Sequence, residues 1–427
     1  MKLQKICLIL KKPIVIPLCH LLLLSICYCI LFKYGWIKIA PSDTNLNNWD
    51  AQWYYSIMEN GYSYIPGHTC NMAFFPLFPL FWELLSLSST GISIVNALIF
   101  AFSYAFLVSR LGLNYRYSLV LISIPSFIFF GLPYSESLFF LFAAILIIGY
   151  RTNSKAFLII GFLGTSLIRS AAMIAIPAII ITEIFSCDSG KTLSKKVSNA
   201  LICIVPSFCG LMLSAILQAS HTGMWFYFIE IQKYWKRHWL VPKFPLTTYS
   251  PSRILAIDGI AFVIGLLSIY FCFKWSYESL KKSREQRTFA VSTISRYVFF
   301  SVLYLAAVTV LDTFFTFDRN GYTSIWSINR HLLCTPFFLV FVTWLFKEFE
   351  PGKIDKMVII GVIISGIYFT GVYQYVGMVT YYILFFTSFV LLRSKSKMVL
   401  CVAFFYLLNF AIQLQFFQDF LMGRWIA

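Results

Sequence analysis

Asn48–Tyr62 reads N-W-D-A-Q-W-Y-Y-S-I-M-E-N-G-Y, and Ala73–Leu80 follows as A-F-F-P-L-F-P-L. The first long apolar run, Ile14–Phe32, ends some residues upstream. An acidic residue flanked by Trp49 and Trp53 therefore falls at the edge of a hydrocarbon layer, where a fully inserted carboxylate costs about 2.5–3.5 kcal/mol. Asp50 stands where a lipid-carried substrate can meet a hydroxyl at the water–membrane boundary.

Composition sets the class around this stretch. The 427 residues are 59% hydrophobic and only 12% charged, the balance of an integral membrane protein. The 45 Phe and 25 Tyr suit lipid-facing and interfacial surfaces. The net charge of +17 does not point to nucleic acid, because Lys and Arg sit in short clusters between apolar runs.

Thirteen helical runs are expected, near 14–32, 92–109, 117–132, 138–150, 156–168, 172–185, 199–219, 254–273, 297–314, 332–346, 357–372, 376–392 and 398–416. Several are shorter than the roughly 20 residues of a full span. With the Lys-rich N-terminus inside, the inside segments carry 23 of the 34 Lys and Arg, and short basic loops are retained on the cytoplasmic side. The basic, apolar start reads as a retained first span, since no clean cleavage site precedes Lys33. Ala73–Ser88 is left out of the spans, because crossing there would reverse the charge bias. It is expected to lie in the outer interface, with Pro76 and Pro79 breaking its first turns and Trp82 and Glu83 at headgroup level; its alternative reading is an ordinary span. The expectation is an all-α polytopic membrane protein, one integral membrane domain over 1–427, with residues 33–91 as the first outside loop.

Other chemistries find no footing. The eleven cysteines are mostly in apolar runs and form no C-x-x-C pair; Cys70, in the first outside loop, is the natural labelling reporter of the orientation. The five histidines show no metal-ligand spacing, and neither a phosphate loop nor a dinucleotide fingerprint occurs. No cofactor and no metal site is expected, although a metal requirement is left open.

The outward segments hold the chemistry. In the first, Asp50 and Glu59 are nine residues apart, so one continuous helix would turn them to different faces. Asp50 is the preferred base; its alternative reading is a helix cap after Asn47 and Asn48. The turn Tyr134-Ser135-Glu136-Ser137 offers a second polar contact, or a first-turn acid favourable to the helix it opens. Arg169 breaks the apolar stretch Ala156–Phe185 near the outer face, as an anion ligand or as a snorkelling anchor. The loop His221–Arg253 alternates basic and aromatic residues over Phe226–Trp239, which suits a lipid phosphate and a sugar face alike. Arg330 and His331 open an apolar span and are expected to hold a phosphate against its helix N-terminus.

The run W-D-A-Q-W-Y-Y-S-I-M-E-N-G-Y followed by A-F-F-P-L-F-P-L resembles the opening motif of the PIG-V family, which includes the second mannosyltransferase of GPI-anchor assembly and bacterial relatives. Tyr134-Ser135-Glu136-Ser137, Phe228–Trp235 with its I-Q-K-Y-W, and Arg330-His331-Leu332-Leu333 follow in the family's order. The resemblance spans nearly the whole chain; the first motif is specific and the later ones are short. It implies a GT-C glycosyltransferase fold of about 11–13 transmembrane helices, with interfacial helices in the first outside loop. It also implies a polyprenyl-phosphate sugar donor, typically mannose, and transfer on the non-cytoplasmic face to a lipid-linked or glycan acceptor. Asp50 is then catalytic, and Trp49, Gln52, Glu59, Tyr134, Glu136, Arg169, Gln232, Tyr234, Trp235, Arg330 and His331 contact substrate. The GPI enzymes tend to carry His where this chain has Trp53. The chain is also compact and lacks any N-x-Ser/Thr sequon. Both features resemble the bacterial branch, hence an inner-membrane location, or the endoplasmic reticulum for a eukaryotic source.

The residues fit this chemistry independently. A polyprenyl phosphate leaves as a weakly basic anion, so positive charge is needed and a second catalytic carboxylate is not. Arg169 and Arg330 are the expected source, with Lys233, Lys236 and Arg237 next in line. Direct attack by a hydroxyl deprotonated by Asp50 inverts the anomeric centre. Two other classes stand beside this one. A flippase of lipid-linked sugars should show internal repeats, and none is seen. A non-catalytic subunit of a glycan-assembly complex would have no need of Asp50.

Overall fold

The computed structural model describes residues 12–170, 172–185, 193–248, 254–286, 294–393 and 399–427. Most of the Lys-rich N-terminus and the 249–253 end of the His221–Arg253 loop lie outside them. The described chain is built on α-helices, with four two-residue strands only in the loops at one end.

Six described helices are long and apolar enough to cross a membrane: α1 (Val15–Lys33), α4 (Ser89–Leu111), α9 (Leu193–Thr222), α11 (Ile254–Gln286), α12 (Arg296–Phe314) and α17 (Val399–Leu421). The chain is a multi-pass integral membrane protein. Between α1 and α4 lie α2 (Asp50–Asn60) and α3 (Leu77–Leu85), of 11 and 9 residues. At 1.5 Å per residue neither reaches across a bilayer. The expected headgroup position of Trp82 is corrected: its side chain is fully buried, with the indole N–H donating to Leu87 O, while Leu84 on the other face is 81% exposed.

Two expected runs are broken. The run 117–132 divides into α5 (Tyr115–Ile122) and a 3-10 turn, Pro125–Gly131; Pro125 lacks the N–H that would continue the helix. That turn and α6 (Glu136–Thr152) meet at 102° and count as a seventh span if taken together. The run 332–346 divides into α13 (Ile328–Leu333), α14 (Pro336–Thr343) and a π turn, Trp344–Glu348. Pro336 holds Thr335 extended, and Thr335 caps α14 by accepting from Phe338 N. α7 (Lys155–Ile168) and α8 (Ala172–Phe185) have 14 residues each, about 21 Å. The one-turn α10 (Tyr227–Glu230) follows α9, and α15 (Lys353–Phe369) and α16 (Val376–Arg393) complete the bundle.

Polar contacts sort the loops into two ends that match the charge-derived sides. At one end Tyr117 donates to Phe346 O, Lys347 to Gly112 O and Arg296 to Asn153, and Lys274 pairs with Asp355. At the other end Asn48 donates to Phe420 O, Tyr54 to Ser135, Leu240 N to Phe314 O and Leu246 N to Phe369 O. Thr90 N donates to Asp43, which holds that carboxyl below the usual carboxylate range. Helices close up where side chains vanish: a Cβ on Gly161 would meet the Leu146 backbone at 2.7 Å, so α7 lies directly on α6.

The labelling reporter must change. Cys70 is completely buried, in a small core with Met72, Tyr227 and Ile231. His68, two residues earlier, is exposed. A membrane-impermeant maleimide should label His68→Cys in intact cells and Lys281→Cys only after permeabilisation. The reverse pattern would invert the assigned orientation.

Candidate functional site

The bend before α6 places a carboxylate deep in the protein. Helical hydrogen bonding lapses at Leu132–Tyr134, and the Asn96 amide fills the gap, donating to Leu132 O at 2.7 Å and Tyr134 O at 2.9 Å. Glu136 then begins α6 with its side chain fully buried. Its Oε1 accepts from Arg169 Nη2 and from Arg330 Nε. Arg169 ends α7 in an extended conformation, which turns its side chain back toward the bend. Its guanidinium lies 5.3 Å from the Phe139 ring centroid.

Arg330 carries the network to the first loop. Its Nη1 donates to Asp50 Oδ2 at 2.6 Å, and its guanidinium lies 4.7 Å from the Tyr134 ring centroid. Asp50 opens α2 from Trp49, whose φ of 57° is uncommon for a bulky residue. No side chain caps this helix from the Trp49 position, and Asp50 spends one oxygen on Arg330, so the capping alternative for Asp50 is set aside. Asp50 Oδ1 has no protein partner among the described residues.

A cleft with two lobes lies above this network, and Asp50, Gln232, Arg237, Arg330 and His331 line both. The first lobe, about 370 Å³, is walled by Trp49, Trp53, Trp235, Trp326 and Trp425, with Gln52, Thr69 and Ser327 between them. Its indoles stand edge-to-face: Trp425 meets Trp49 at 4.9 Å and Trp326 at 4.8 Å, and Trp53 meets Trp235 at 5.9 Å. The second lobe, about 220 Å³, is lined by Arg169, Tyr54, Tyr304 and Asp312, and by Ile168, Ile174, Val308 and Leu311 at helix ends. His331 Nδ1 lies 2.9 Å from Asp312 Oδ2, which leaves Nε2 for the cleft.

The structure thus gathers Asp50, Trp49, Gln52, Arg169, Gln232, Trp235, Arg330 and His331 in one cleft, and corrects five other expectations. Glu59, on the far face of α2 as its spacing implies, is exposed, accepts from Tyr55 and lies outside the cleft lining. Tyr234 packs on the Cys70 core beneath Lys233. Tyr134 and Glu136 are buried under the cleft and support it without lining it. Arg169 and Arg330 are not spare cations, because Glu136 and Asp50 neutralise them. The expected phosphate seat at the Arg330 helix N-terminus is also occupied: buried Asp258 accepts from the Asn329 backbone and amide.

Asp258, Asp312, Trp326 and Trp425 were not singled out from sequence. The two acids carried a usable signal, since each is a lone carboxylate in an apolar run. The two tryptophans carried none. Among the described residues no group of three or more His, Cys, Asp or Glu is placed to hold a metal. No family model, curated protein or solved structure matches the chain.

Glu136 should be the structural centre of the network. Glu136→Gln leaves two arginines facing an uncharged amide in a dry site, and breaking such a pair costs about 3–5 kcal/mol. A clear fall in Tm in detergent is expected, with Glu59→Gln as the unaffected control. An unchanged Tm for Glu136→Gln would remove the network from the stability of this end.

Proposed function

We propose that this chain is a membrane glycosyltransferase of the GT-C type. It moves a sugar, mannose by the PIG-V resemblance, from a polyprenyl-phosphate donor to a hydroxyl of a lipid-linked or glycan acceptor. Transfer takes place on the non-cytoplasmic face, with inversion. The observation that carries this reading is the placement of Asp50. Asp50, whose Oδ1 has no protein partner among the described residues, lies on the wall shared by a lobe of indoles and a lobe of arginine and membrane-helix ends. Aromatic faces cover the apolar side of a pyranose, while apolar helix ends beside a cation suit a lipid phosphate. The motif resemblance supplies the same pairing of substrates.

The acceptor oxygen bonds to the anomeric carbon as the bond from that carbon to the phosphate oxygen breaks. The acceptor proton passes to Asp50. The departing phosphate goes from a singly charged diester to a doubly charged monoester, so the charge to be stabilised grows on that side. Arg330, by holding Asp50 Oδ2, fixes the orientation in which Oδ1 meets the acceptor.

Asp50→Asn preserves shape and cannot accept the proton. Turnover with a radiolabelled polyprenyl-phosphate sugar should fall by at least about 10²-fold, with donor binding close to the parent's. Near-parental turnover in Asp50→Asn together with a large loss in His331→Gln would move the base to the His331–Asp312 pair. Trp326→Ala should raise the acceptor KM roughly 2- to 12-fold, the equivalent of about 0.5–1.5 kcal/mol for one aromatic contact. Its donor KM should stay unchanged; a shift in donor KM alone would exchange the two lobes.

A further inference from the structure

Charge accounting in the cleft singles out one cation. Arg169 and Arg330 share Glu136, and Arg330 also holds Asp50, so two arginines face two carboxylates. Asp312, in the second lobe, is turned to His331. Of the nearby lysines, Lys233 is exposed and pairs with Glu230, Lys243 pairs with Asp318, and Lys236 is exposed and outside the lining. Arg237 differs from all of these. It lines both lobes, is half-buried, and has no carboxylate partner among the described residues.

Its backbone is held on both sides. The 3-10 turn Ile231–Trp235 ends at Lys236, whose φ of 62° reverses the chain, and Arg237 N donates to Gln232 O at 3.0 Å. The next two residues, His238–Trp239, form β1, antiparallel to β2 (Phe315–Thr316), which directly follows α12. Arg237 is therefore delivered to the cleft from a fixed turn, with five N–H donors in a planar fork that fits a phosphate. The second lobe beside it has an apolar wall that fits hydrocarbon. Ile174, Val308 and Leu311 line it at the start of α8 and the end of α12, and Met173 and Val310 next to them are 49% and 43% exposed on the outer surface of these helices.

We infer that Arg237 is the anion anchor of the cleft and takes the phosphate of a lipid phosphate monoester whose chain lies along the apolar ends of α8 and α12. The inference rests on the glycosyl-transfer reading only for naming this lipid as the donor carrier. It replaces Arg169 and Arg330, which frame the lobe and orient Asp50, as the principal phosphate ligand.

The test is equilibrium binding of farnesyl phosphate, inorganic phosphate and farnesol to the purified full chain. The parent should bind farnesyl phosphate well above inorganic phosphate. Arg237→Gln should weaken farnesyl phosphate 10- to 100-fold, the equivalent of about 1.4–2.8 kcal/mol, and leave farnesol unchanged. Arg237→Lys should fall between, since it keeps charge and loses the fork. Lys233→Gln, which removes a charge from the same loop outside the cleft, should match the parent. Parental binding by Arg237→Gln would overturn the anchor and leave the transferase reading standing. A parent that binds inorganic phosphate as tightly as farnesyl phosphate would overturn the lipid assignment. A parent that binds none of them would remove the transferase reading and the anchor with it.

Discussion

A carboxylate with no water around it dictates the outer end of this protein. Glu136 is fully buried, and an ionised carboxylate in such a place persists only with cations and hydrogen bonds within reach. Two arginines answer it from different parts of the chain, one ending α7 and one inside α13. Each must arrive at a fixed point, so the ends of both elements are fixed too. Arg330 then has a free edge left, and that edge sets Asp50. The geometry at the lip of the cleft is inherited from a charge beneath it.

The backbone around this charge is irregular, and irregular backbone at membrane depth survives only where side chains complete its hydrogen bonds. Asn96 does so for Leu132 and Tyr134, and Asp258 does so for the start of α13, with Ser126 donating to the Asn329 side-chain Oδ1 behind it. These buried amides and acids belong to the scaffold. They allow two spans to break on the same side, so that side chains, and not helix walls, meet the cleft.

Much of this was legible in the sequence where the signal is one-dimensional. Apolar runs gave the helices, clustered Lys and Arg gave two sides that the contacts reproduce, and a nine-residue spacing separated Asp50 from Glu59. Pro125 and Pro336 stood in plain view as breaks, yet hydropathy, which ignores hydrogen bonding, ran straight through them. Pairing was hidden altogether. Arg169 and Arg330 read as unspent charge because their partners lie 33 and up to 280 residues away. Cys70 read as a loop thiol because a small local core of Met72, Tyr227 and Ile231 leaves no periodic trace. Trp326 and Trp425 were ordinary interfacial aromatics until the fold set them edge-to-face.

The sequence separations within the ion network also impose an order of assembly. Membrane helices enter the bilayer as they are synthesised, N-terminal segments first. Glu136 and Arg169 lie on neighbouring helices 33 residues apart and can neutralise each other as soon as α6 and α7 are in place. Each charge alone would add to the cost of insertion. Arg330 follows 194 residues after Glu136 and joins Arg169 on the same carboxylate oxygen, Oε1. Only then can Asp50, synthesised 280 residues earlier, be drawn into its final position. The first loop is thus made early and set last.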